Sequence, residues 1–544
     1  MTTGTLFQES KPVGDVPSST SAGNTRTRLT VFALGILVFG IYSAALLHTL
    51  HGSSPMVSFA DDFAYYAEIA RRFLDVHFTT FDGVRHTNGF HPLWMWILTG
   101  MMAVFGKGFL PAVLLVTALS IGSTYVLGFW LLRRAGLQGE FAVFFAMVGT
   151  AVAGIVEVGS MESVVTIPAL LLLGSFVLKP SLSSKSSWFS LGLLCSLVIL
   201  CRIDTLLFVA TLLALFFWRA GANRWRNLVF LACGLLPVAA YFIQNKLVFG
   251  AVMTVSSRAK QLTVGFHPTL LPLVTACKSL RGVEYVYCSI GLVLLLTERD
   301  RNVRTKPLFV AALLFPWLQI ATLCMVSDWP FEAWYAYALV VPCLITSVLL
   351  VRRFDRRIRL SLAPAAALAV LVLAGISYKK FHATTHDSIG SAAIALATWS
   401  SAHPGNIAMG DRAGKVGWMV PARLLQMEGL VEDESFLRRI RAQDDAVQVM
   451  KDYHIRYYVA TNVPPDIDSC YAVAEPGRAG PYAAQMRARI CAKPVFEFKD
   501  KPLPGEVPDC CSGVVNDVFD LQPLVQDKDH RWGAPHSPGN PTRD

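Results

Sequence analysis

The segment VFALGILVFGIYSAALLHTL, residues 31–50, is a run of 20 residues without Asp, Glu, Lys or Arg. A helix needs about 20 mostly apolar residues to cross the hydrocarbon core of a bilayer. The run is too long for the apolar part of a secretory signal peptide, and no clear small-residue cleavage site follows it. We therefore predict that this segment is an uncleaved membrane anchor rather than a cleaved signal.

Ten further apolar runs follow this anchor, so the sequence predicts about 11 transmembrane helices. The further runs lie at about 109–132, 140–157, 163–178, 188–201, 205–218, 228–249, 283–297, 307–326, 333–351 and 360–377. The stretches 91–106 and 266–281 are also apolar, but we predict that they lie at the membrane interface. Counting them as spans would place Arg133 and Arg134 outside the cell, whereas basic residues prefer the cytoplasmic side.

The composition of the whole chain also indicates a membrane protein. Of its 544 residues, 53% are hydrophobic and only 16% are charged, whereas soluble globular proteins have about 25% charged residues. This composition excludes intrinsic disorder and a coiled coil, and the apolar runs exclude a single-domain soluble enzyme. The sequence contains no Walker A loop and no GxGxxG motif, so it predicts no nucleotide-binding domain.

The distribution of basic residues predicts the orientation of the chain. With a cytoplasmic N-terminus, the cytoplasmic segments contain 19 Lys and Arg, against 10 in the remainder of the membrane part. This bias follows the positive-inside rule, and it places residues 378–544 outside the cytoplasm. The net charge of +10 is therefore a sign of membrane topology and not of nucleic-acid binding.

The composition of the chain changes after residue 377. Polar sequence there includes short β-like runs, such as Tyr457–Ala460 and Val514–Phe519, and a helical stretch around 434–452. We predict a mostly α, polytopic membrane protein with a small extracytoplasmic α/β domain at its C-terminus. Its predicted parts are a disordered cytoplasmic N-terminus at 1–30, a transmembrane domain at 31–377, the C-terminal domain at 378–523 and a disordered tail at 524–544.

Four of the 11 cysteines lie in the exported part of the chain, namely Cys470, Cys491, Cys510 and Cys511. An even number of cysteines in an exported domain predicts disulfides, with three possible connectivities. Because Cys510 and Cys511 are adjacent, we expect each to pair with Cys470 or Cys491 rather than with the other. A zinc site is the alternative, although the spacing lacks two CxxC pairs.

Charged residues beside the outer face of the membrane are the candidate site, because charge near a bilayer is costly. The first cluster is DDFAYYAEIARR, residues 61–72, which has the alternation of an amphipathic interfacial helix. Asp61 and Asp62 suit the N-terminal cap of that helix. One Asp is enough for a cap, and two adjacent carboxylates raise each other's pKa, which suits a general base.

Three further clusters lie on the same predicted face. TNGFHPLW at 87–94 provides Asn88, His91 and Trp94, which suit either a turn that enters a helix or a set of sugar contacts. Between apolar spans lie Glu162 and the pair Arg202 and Asp204, which are typical of caps, an intramembrane ion pair or a polar pocket. Arg258 and Lys260 suit either lipid headgroups or a phosphate leaving group, and Tyr335 lies in an aromatic loop that suits membrane anchoring or one wall of a sugar pocket.

These motifs resemble bacterial GT-C glycosyltransferases, polytopic enzymes that use a polyprenyl-phosphate-linked sugar. The resemblance rests on Asp-Asp after the first span, TNGFHPLW at 87–94, GSMES at 159–163, RID at 202–204 and GDRAGKVGW at 410–418. It covers the first 260 residues well and the C-terminal part loosely. The branch with an outer C-terminal domain, similar to arabinofuranosyltransferases of cell-wall assembly, is the nearest in character.

The resemblance implies roles for individual residues. Asp61 or Asp62 falls at the catalytic base of the family, Glu162 at a second acid near the pocket, and Arg258 and Lys260 where members contact the lipid phosphate. This chain departs from the family mildly, with Ser160-Met161-Glu162-Ser163 for a Gly-Met-Glu-Thr-like stretch. It also has Glu428-Gly429-Leu430 where members have Asp-Gly-Leu.

The sequence therefore favours an inverting glycosyltransferase on the outer face of a bacterial inner membrane. Its expected partners are a polyprenyl-phosphate sugar donor, a glycan or lipid acceptor and membrane lipid, with no nucleic acid. The sequence assigns no cofactor with certainty, and it leaves open a divalent cation at the paired Asp residues, although two carboxylates are few ligands for one. The main alternative is a transporter or flippase of lipid-linked saccharide, but the sequence shows no internal repeat. A non-catalytic assembly protein is less favoured, because the unexplained acids lie in the membrane part.

Overall fold

The computed structural model describes residues 33–44, 56, 59–137, 139–157, 160–178, 184–219, 224–263, 266–278, 281–327, 329–354, 388–466, 468–478, 480, 482–499 and 515–522. Within this part of the chain, helices make up the first two thirds of the sequence. A mixed sheet with short helices follows after residue 387. The predicted last span at 360–377, the predicted disordered ends and the pair Cys510 and Cys511 lie outside the described residues.

The membrane part is a succession of apolar helices. They are α1 (Ala33–Ala44), α2 (Asp61–Val76), α3 (Pro92–Phe105), α4 (Phe109–Ala135), α5 (Gly139–Glu157), α6 (Ser163–Val177), α7 (Lys185–Cys201), α8 (Leu206–Arg219), α9 (Arg224–Phe249), α10 (Val255–Ala259), α11 (Leu271–Lys278), α12 (Arg281–Leu296), α13 (Arg301–Arg304), α14 (Pro307–Val326) and α15 (Tyr337–Phe354). Helix α2 is amphipathic, as predicted, and buries Phe63 and Ile69 against its neighbours. Pro92 at the first turn of α3 and Pro307 at that of α14 occupy positions where a missing N–H costs little.

The prediction of 11 spans is not confirmed. Among the described residues, four helical stretches are long and apolar enough to cross a membrane, or five if α11 and the adjoining α12 form one bent span. The four are Pro92–Ala135, Asn227–Phe249, Pro307–Val326 and Trp334–Phe354. Several others are apolar but short: α6, for example, has 15 residues, which at about 1.5 Å per residue is less than the thickness of the hydrocarbon core.

The first of these stretches revises the prediction for residues 91–106. Helix α3 joins α4 through a single turn of 3-10 helix at Gly106–Gly108, so that the two together form an apolar stretch of 44 residues. Helix α3 also packs against the amphipathic α2. The position of α2 is therefore set by a helix that continues into the membrane part.

The C-terminal part contains a mixed five-stranded sheet, as the β-like runs predict. Its helices and strands are α16 (Ser388–Ala402), β1 (Ile407–Met409), α17 (Ala413–Met419), β2 (Leu424–Gln426), α18 (Glu434–Arg441), α19 (Ala446–Asp452), β3 (Tyr457–Thr461), β4 (Tyr471–Glu475), β5 (Met486–Ile490), β6 (Phe496–Lys499) and β7 (Val515–Asp520). The strand order is β2-β1-β3-β7-β6, and β4 and β5 form a separate antiparallel pair. Strands β1, β2 and β3 are parallel, and β7 is antiparallel to β3. The predicted helical stretch at 434–452 is two helices, because Asp445 caps a new helix at the backbone N–H of Gln448.

The disulfide prediction is wrong in its pairing. Cys470 bonds to Cys491. The two residues flank the β4 and β5 pair, which brings them together directly. The bond also excludes the alternative in which these two thiols bind zinc.

Candidate active site

A cavity of about 310 Å³ lies where α2, α10, α14 and the turn after α7 meet residues 430–431 of the C-terminal part. Seven of the 11 predicted site residues line it: Asp62, His91, Glu162, Arg202, Asp204, Lys260 and Tyr335. These residues come from segments that are far apart in the sequence. The fold thus brings together most of the predicted cluster.

Asp62 is the acid that faces the cavity without an internal partner. Among the described residues, no hydrogen bond or ion pair occupies its carboxylate. Burial raises the pKa of Asp62 to about 7, the nearby Lys260 opposes this shift, and the acids Asp61, Glu332 and Glu162 add to it. A carboxyl group with a pKa near neutrality exchanges protons readily at physiological pH.

Asp61 has a different role from its neighbour. Its carboxylate accepts hydrogen bonds from the backbone N–H groups of Gly414, at 3.1 Å, and Lys415, at 2.8 Å. These N–H groups lie in the first turn of α17, whose own N-cap residue, Arg412, provides no side-chain cap. A Cβ atom at position 414 would collide with the Asp61 backbone, so only glycine allows this approach. The cap predicted for α2 is therefore wrong: its N-cap is Ala60, and Asp61 caps α17 instead.

Arg202 is the centre of a buried charge network beside the cavity. Its guanidinium donates to Glu162 and, through Nε, to Asp204 Oδ1 at 3.1 Å. It also lies over the ring of Tyr337, 4.5 Å from the centroid. Gln319 donates to the other oxygen of Asp204 at 3.0 Å. A buried charge requires such compensation, and the network therefore holds the guanidinium in one position.

His91 and Tyr66 extend this network toward α2. Tyr66 donates to Glu162 Oε2 at 3.2 Å and accepts the backbone N–H of His91 at 3.1 Å. The backbone N–H of Ile203 donates to His91 Nδ1 at 3.3 Å, which leaves Nε2 as the protonated nitrogen, 3.8 Å from Glu162. Burial lowers the pKa of His91 to about 4, so that the imidazole is neutral at pH 7.

Lys260 is the cation that remains open to the cavity. Its Nζ donates to the Tyr335 hydroxyl at 3.4 Å, and no carboxylate among the described residues pairs with it. Burial alone would lower the pKa of Lys260, but Tyr335 and Asp62 outweigh this effect and raise it. The ammonium group therefore stays charged and keeps donors for a ligand.

The other predicted cation, Arg258, does not reach this cavity. It forms a bidentate ion pair with Glu434, with one N–O distance of 2.8 Å. Glu434 begins helix α18 of the C-terminal part. Arg258 therefore lies in the contact between the two parts of the chain. The sequence instead predicts it, together with Lys260, at the lipid phosphate.

Asn88 and Trp94 also lie away from the cavity. Asn88 is buried and accepts the backbone N–H of Val255 at 2.8 Å, which fixes the start of α10. Trp94 is fully buried and therefore offers no face for a sugar ring in this structure. Both residues support the walls of the site rather than forming its surface.

Residues 61–85 of the outer loop and helix α10 contact the C-terminal part, and we call these contacts the docking interface. It consists of Asp61 with Gly414 and Lys415, Asp82 with Arg423, Arg85 with Glu432, and Arg258 with Glu434. Asp82 is buried and accepts Arg423 NH2 at 2.7 Å. Burial would raise the pKa of Asp82, but N–H groups of Arg85 and Val84, together with Arg423, lower it. The interface places Leu430 and Val431 against the cavity.

Sequence reasoning missed two residues that line the cavity, Tyr66 and Gln319, and a third, Arg478, whose charge interacts with that of Asp62. Gln319 is a buried amide in a mostly apolar helix. A polar residue isolated in an apolar run indicates a functional position, so the sequence alone could have identified Gln319. Tyr66 carries no such signal. Arg478 pairs with Glu332 at 3.5 Å and with Asp411 at 3.4 Å, and it lies too far along the chain to be assigned from spacing.

A divalent cation finds no ready site in the described residues. They contain no group of three or more His, Cys, Asp and Glu side chains that can hold a metal ion. Asp61, one of the two carboxylates that the sequence suggests for a cation, is already used by α17.

Solved structures resemble this fold over most of the chain. ArnT from Cupriavidus metallidurans bound to undecaprenyl phosphate has a TM-score of 0.54 and 13% identity, over 82% of this chain and 94% of ArnT. The apo form of the same protein has a TM-score of 0.52 and 13% identity, over 86% and 98%. The chain has a GT-C glycosyltransferase fold. The predicted resemblance to GT-C enzymes is thereby confirmed at the level of the fold.

The arabinofuranosyltransferase AftD from Mycobacteria has a lower TM-score, 0.47, with 12% identity over 89% of this chain and 41% of AftD. No family model matches the sequence, and no curated protein matches it either.

Proposed function

We propose that this chain is an integral membrane glycosyltransferase. It transfers a sugar from a polyprenyl-phosphate-linked donor to a glycan or lipid of the cell envelope, on the outer face of the inner membrane. The observation that carries the proposal is that one cavity contains both a carboxylate, Asp62, and an ammonium group, Lys260. Neither forms an ion pair among the described residues. A base and a cation are the two groups that such a transfer requires.

The walls of the cavity suit a donor with a lipid chain. The apolar lining of the cavity includes Leu206 and Leu207 at the start of α8 and Leu323 and Val326 at the end of α14. Leu206 and Val326 are also 42% and 38% exposed, so that this side of the cavity is accessible to a lipid chain. The lipid chain enters along this side, and the phosphate then reaches Lys260. The bound undecaprenyl phosphate in ArnT supports this choice of donor.

The phosphate is the leaving group, and Lys260 acts on its charge. As the bond between the anomeric carbon and the phosphate oxygen breaks, negative charge accumulates on that oxygen. A fixed cation then binds the transition state more strongly than the ground state, which accelerates the chemical step. Arg202 lies on the same cavity, but Glu162 and Asp204 already neutralise it, so we assign it to holding the shape of the site.

Asp62 is the general base of the proposed reaction. An acceptor hydroxyl oxygen attacks the anomeric carbon from the face opposite the phosphate, and its proton passes to the Asp62 carboxylate. The new glycosidic bond forms as the bond to phosphate breaks, and polyprenyl phosphate leaves. One displacement of this kind inverts the anomeric configuration. General-base assistance contributes about 10²–10⁴-fold to the rate.

The orientation of the chain follows from its basic residues. With 19 Lys and Arg in the predicted cytoplasmic segments, the N-terminus lies in the cytoplasm and Asp62 lies at the outer face. A donor on the outer face needs no nucleotide site, because the sugar is already activated by its lipid phosphate. The absence of Walker and GxGxxG motifs from the sequence agrees with this requirement.

The direct test is a transfer assay with the purified full chain in lipid nanodiscs. Undecaprenyl-phosphate-linked pentoses and hexoses are supplied with a cell-envelope glycan extract, and release of undecaprenyl phosphate and labelling of the extract are both measured. We expect both signals from one donor and neither from an Asp62→Asn variant. The same protein is also reconstituted into vesicles, and movement of labelled donor across their membrane without either signal would support a flippase and overturn the proposal.

A further inference from the structure

A second cavity, of about 340 Å³, lies beside the first one. It is bounded by the outer loop at 84–88, by the segment from the end of α9 to α10, and by residues 432–435 of the C-terminal part. Its lining combines apolar side chains, such as Val248, Phe249 and Met253, with charged and hydroxyl groups. A volume of this size is within the range of small-molecule sites.

Only a thin wall separates the two cavities. Asn88 lines the second cavity while the next residue, Gly89, lines the first. Likewise Val431 lines the first and Glu432 the second, and Met253 lines both. The side chain of Met253 is therefore part of both walls, and methionine side chains are flexible.

The charges of the second cavity are already paired with one another. Arg85 lies 3.5 Å from Glu432, and Arg258 pairs with Glu434. Asp433 caps α18 at the backbone N–H of Phe436, at 2.8 Å. Both arginines among the described lining residues are thus in ion pairs, and the other basic side chain there, His86, packs its ring against that of Phe78. The pairing favours an uncharged ligand, whose hydroxyl groups can still share these donors and acceptors.

Asn88 provides a donor that the chain does not use. The residue is 3% exposed, and its Oδ1 accepts the backbone N–H of Val255. Its Nδ2 has no hydrogen-bond partner among the described residues. Buried polar groups are nearly always paired, so an unpaired amide at the wall of a cavity points to a ligand oxygen.

We propose that the second cavity binds the acceptor as an uncharged saccharide, whose terminal hydroxyl reaches Asp62 past Met253. The apolar C–H face of a sugar ring packs on Phe249 and Val248, while its hydroxyls meet Asn88 and the paired charges opposite. This inference rests on the proposed function, because it assigns the second substrate of that reaction.

The test fills the second cavity and leaves the first one intact. Ser435→Trp adds bulk from the C-terminal side and His86→Trp adds it from the outer loop, since both residues line the second cavity and neither lines the first. Thr398→Trp, on an exposed face of α16, is the matched control for a surface tryptophan. The acceptors are envelope glycans separated by anion exchange into a neutral and a phosphate-bearing pool.

We expect wild-type protein to glycosylate the neutral pool, and both filling variants to raise the KM for that pool at least about ten-fold, the equivalent of about 1.4 kcal/mol. The donor KM and the KM values of Thr398→Trp should stay within about two-fold. An unchanged acceptor KM in the filling variants, or a preference for the phosphate-bearing pool, would overturn the inference. No release of undecaprenyl phosphate by wild-type protein with any donor or pool would instead count against the proposed function itself.

Discussion

Two short segments, Asp61-Asp62 and Arg258 to Lys260, each give one charged residue to the cavity and one to the docking interface. Asp62 and Lys260 line the cavity, and no carboxylate–cation pair within the described chain occupies either of them. Their near neighbours Asp61 and Arg258 are both bound by the C-terminal part, through Gly414 and Lys415 in one case and Glu434 in the other. The residues available to a substrate are therefore identified by their lack, within the described chain, of an ion pair or a hydrogen bond to the C-terminal part, and not by their position in a motif.

Helix geometry explains this division. Successive residues of an α-helix point about 100° apart, so adjacent acids at the start of α2 face different neighbours. Arg258 and Lys260, two positions apart around the end of α10, point to nearly opposite sides. Each short segment thus serves the site with one residue and holds the C-terminal part against the site with the other. The same outer loop and helix α10 therefore contribute to both chemistry and assembly.

The largest expected effect separates the two adjacent acids. Asp62→Asn removes the base but keeps the shape of the side chain, so we expect turnover to fall by about 10²–10⁴-fold with little change in donor KM. Asp61→Asn weakens the cap of α17 and should lower the melting temperature, while turnover falls less than about ten-fold. Steady-state kinetics and thermal unfolding in nanodiscs measure the two effects.

The double variant provides the control for this comparison. If Asp62 alone is the base, the turnover of the double Asn variant should match that of Asp62→Asn. Equal losses in the two single variants would show that the acids act as one unit, and normal turnover in all three would exclude both from catalysis.

The next effect separates the two cations. Lys260→Met removes the charge that faces the leaving phosphate, and we expect a loss of about 10²-fold in turnover, as for a lost transition-state donor. Arg258→Met breaks a half-exposed ion pair at the docking interface, so that stability should fall by about 1 kcal/mol or less. Turnover should remain within a few-fold of wild type.

A reversed result would change the assignment of the donor site. A larger loss of turnover in Arg258→Met than in Lys260→Met would mean that the phosphate binds outside the cavity of Asp62. Lys260→Arg serves as the rescue variant, because it restores a positive charge at the same position.

The sequence predicts the membrane character and the C-terminal strands, because both depend on local patterns. Tyr457–Thr461 and Val515–Asp520 are strands where their apolar runs indicate them. It also predicts most of the cavity, since buried charge beside a membrane is rare enough to be informative. What it misses depends on partners distant in the chain. Asp61 contacts a residue 353 positions away, and Arg258 one that is 176 positions away.

Trp94 and the spans show a second limit. An aromatic residue near the membrane suits a sugar platform and a core position equally well, and only packing decides between them. The predicted number of spans is not confirmed for a related reason. An apolar run marks a buried or lipid-facing helix, but the length of the helix depends on where polar turns, such as Arg202 to Asp204, interrupt it.

The smallest expected effect uses pH to separate the same two regions. Asp62 has a pKa of about 7 and must be ionised to act as a base, so kcat should rise about ten-fold per pH unit below 7 and level off above it.

At the docking interface the folded pKa of Asp82 is lowered. Its contribution to stability is therefore complete above its ordinary pKa and is lost only as the pH falls through the lower, folded value. Between pH 6 and 8 the difference in melting temperature between wild type and Asp82→Asn should stay constant while turnover changes. A pH-independent kcat over this range would show that Asp62 does not titrate in the rate-limiting step. A difference in melting temperature that follows the same curve as kcat would show instead that acid acts by loosening the docking interface.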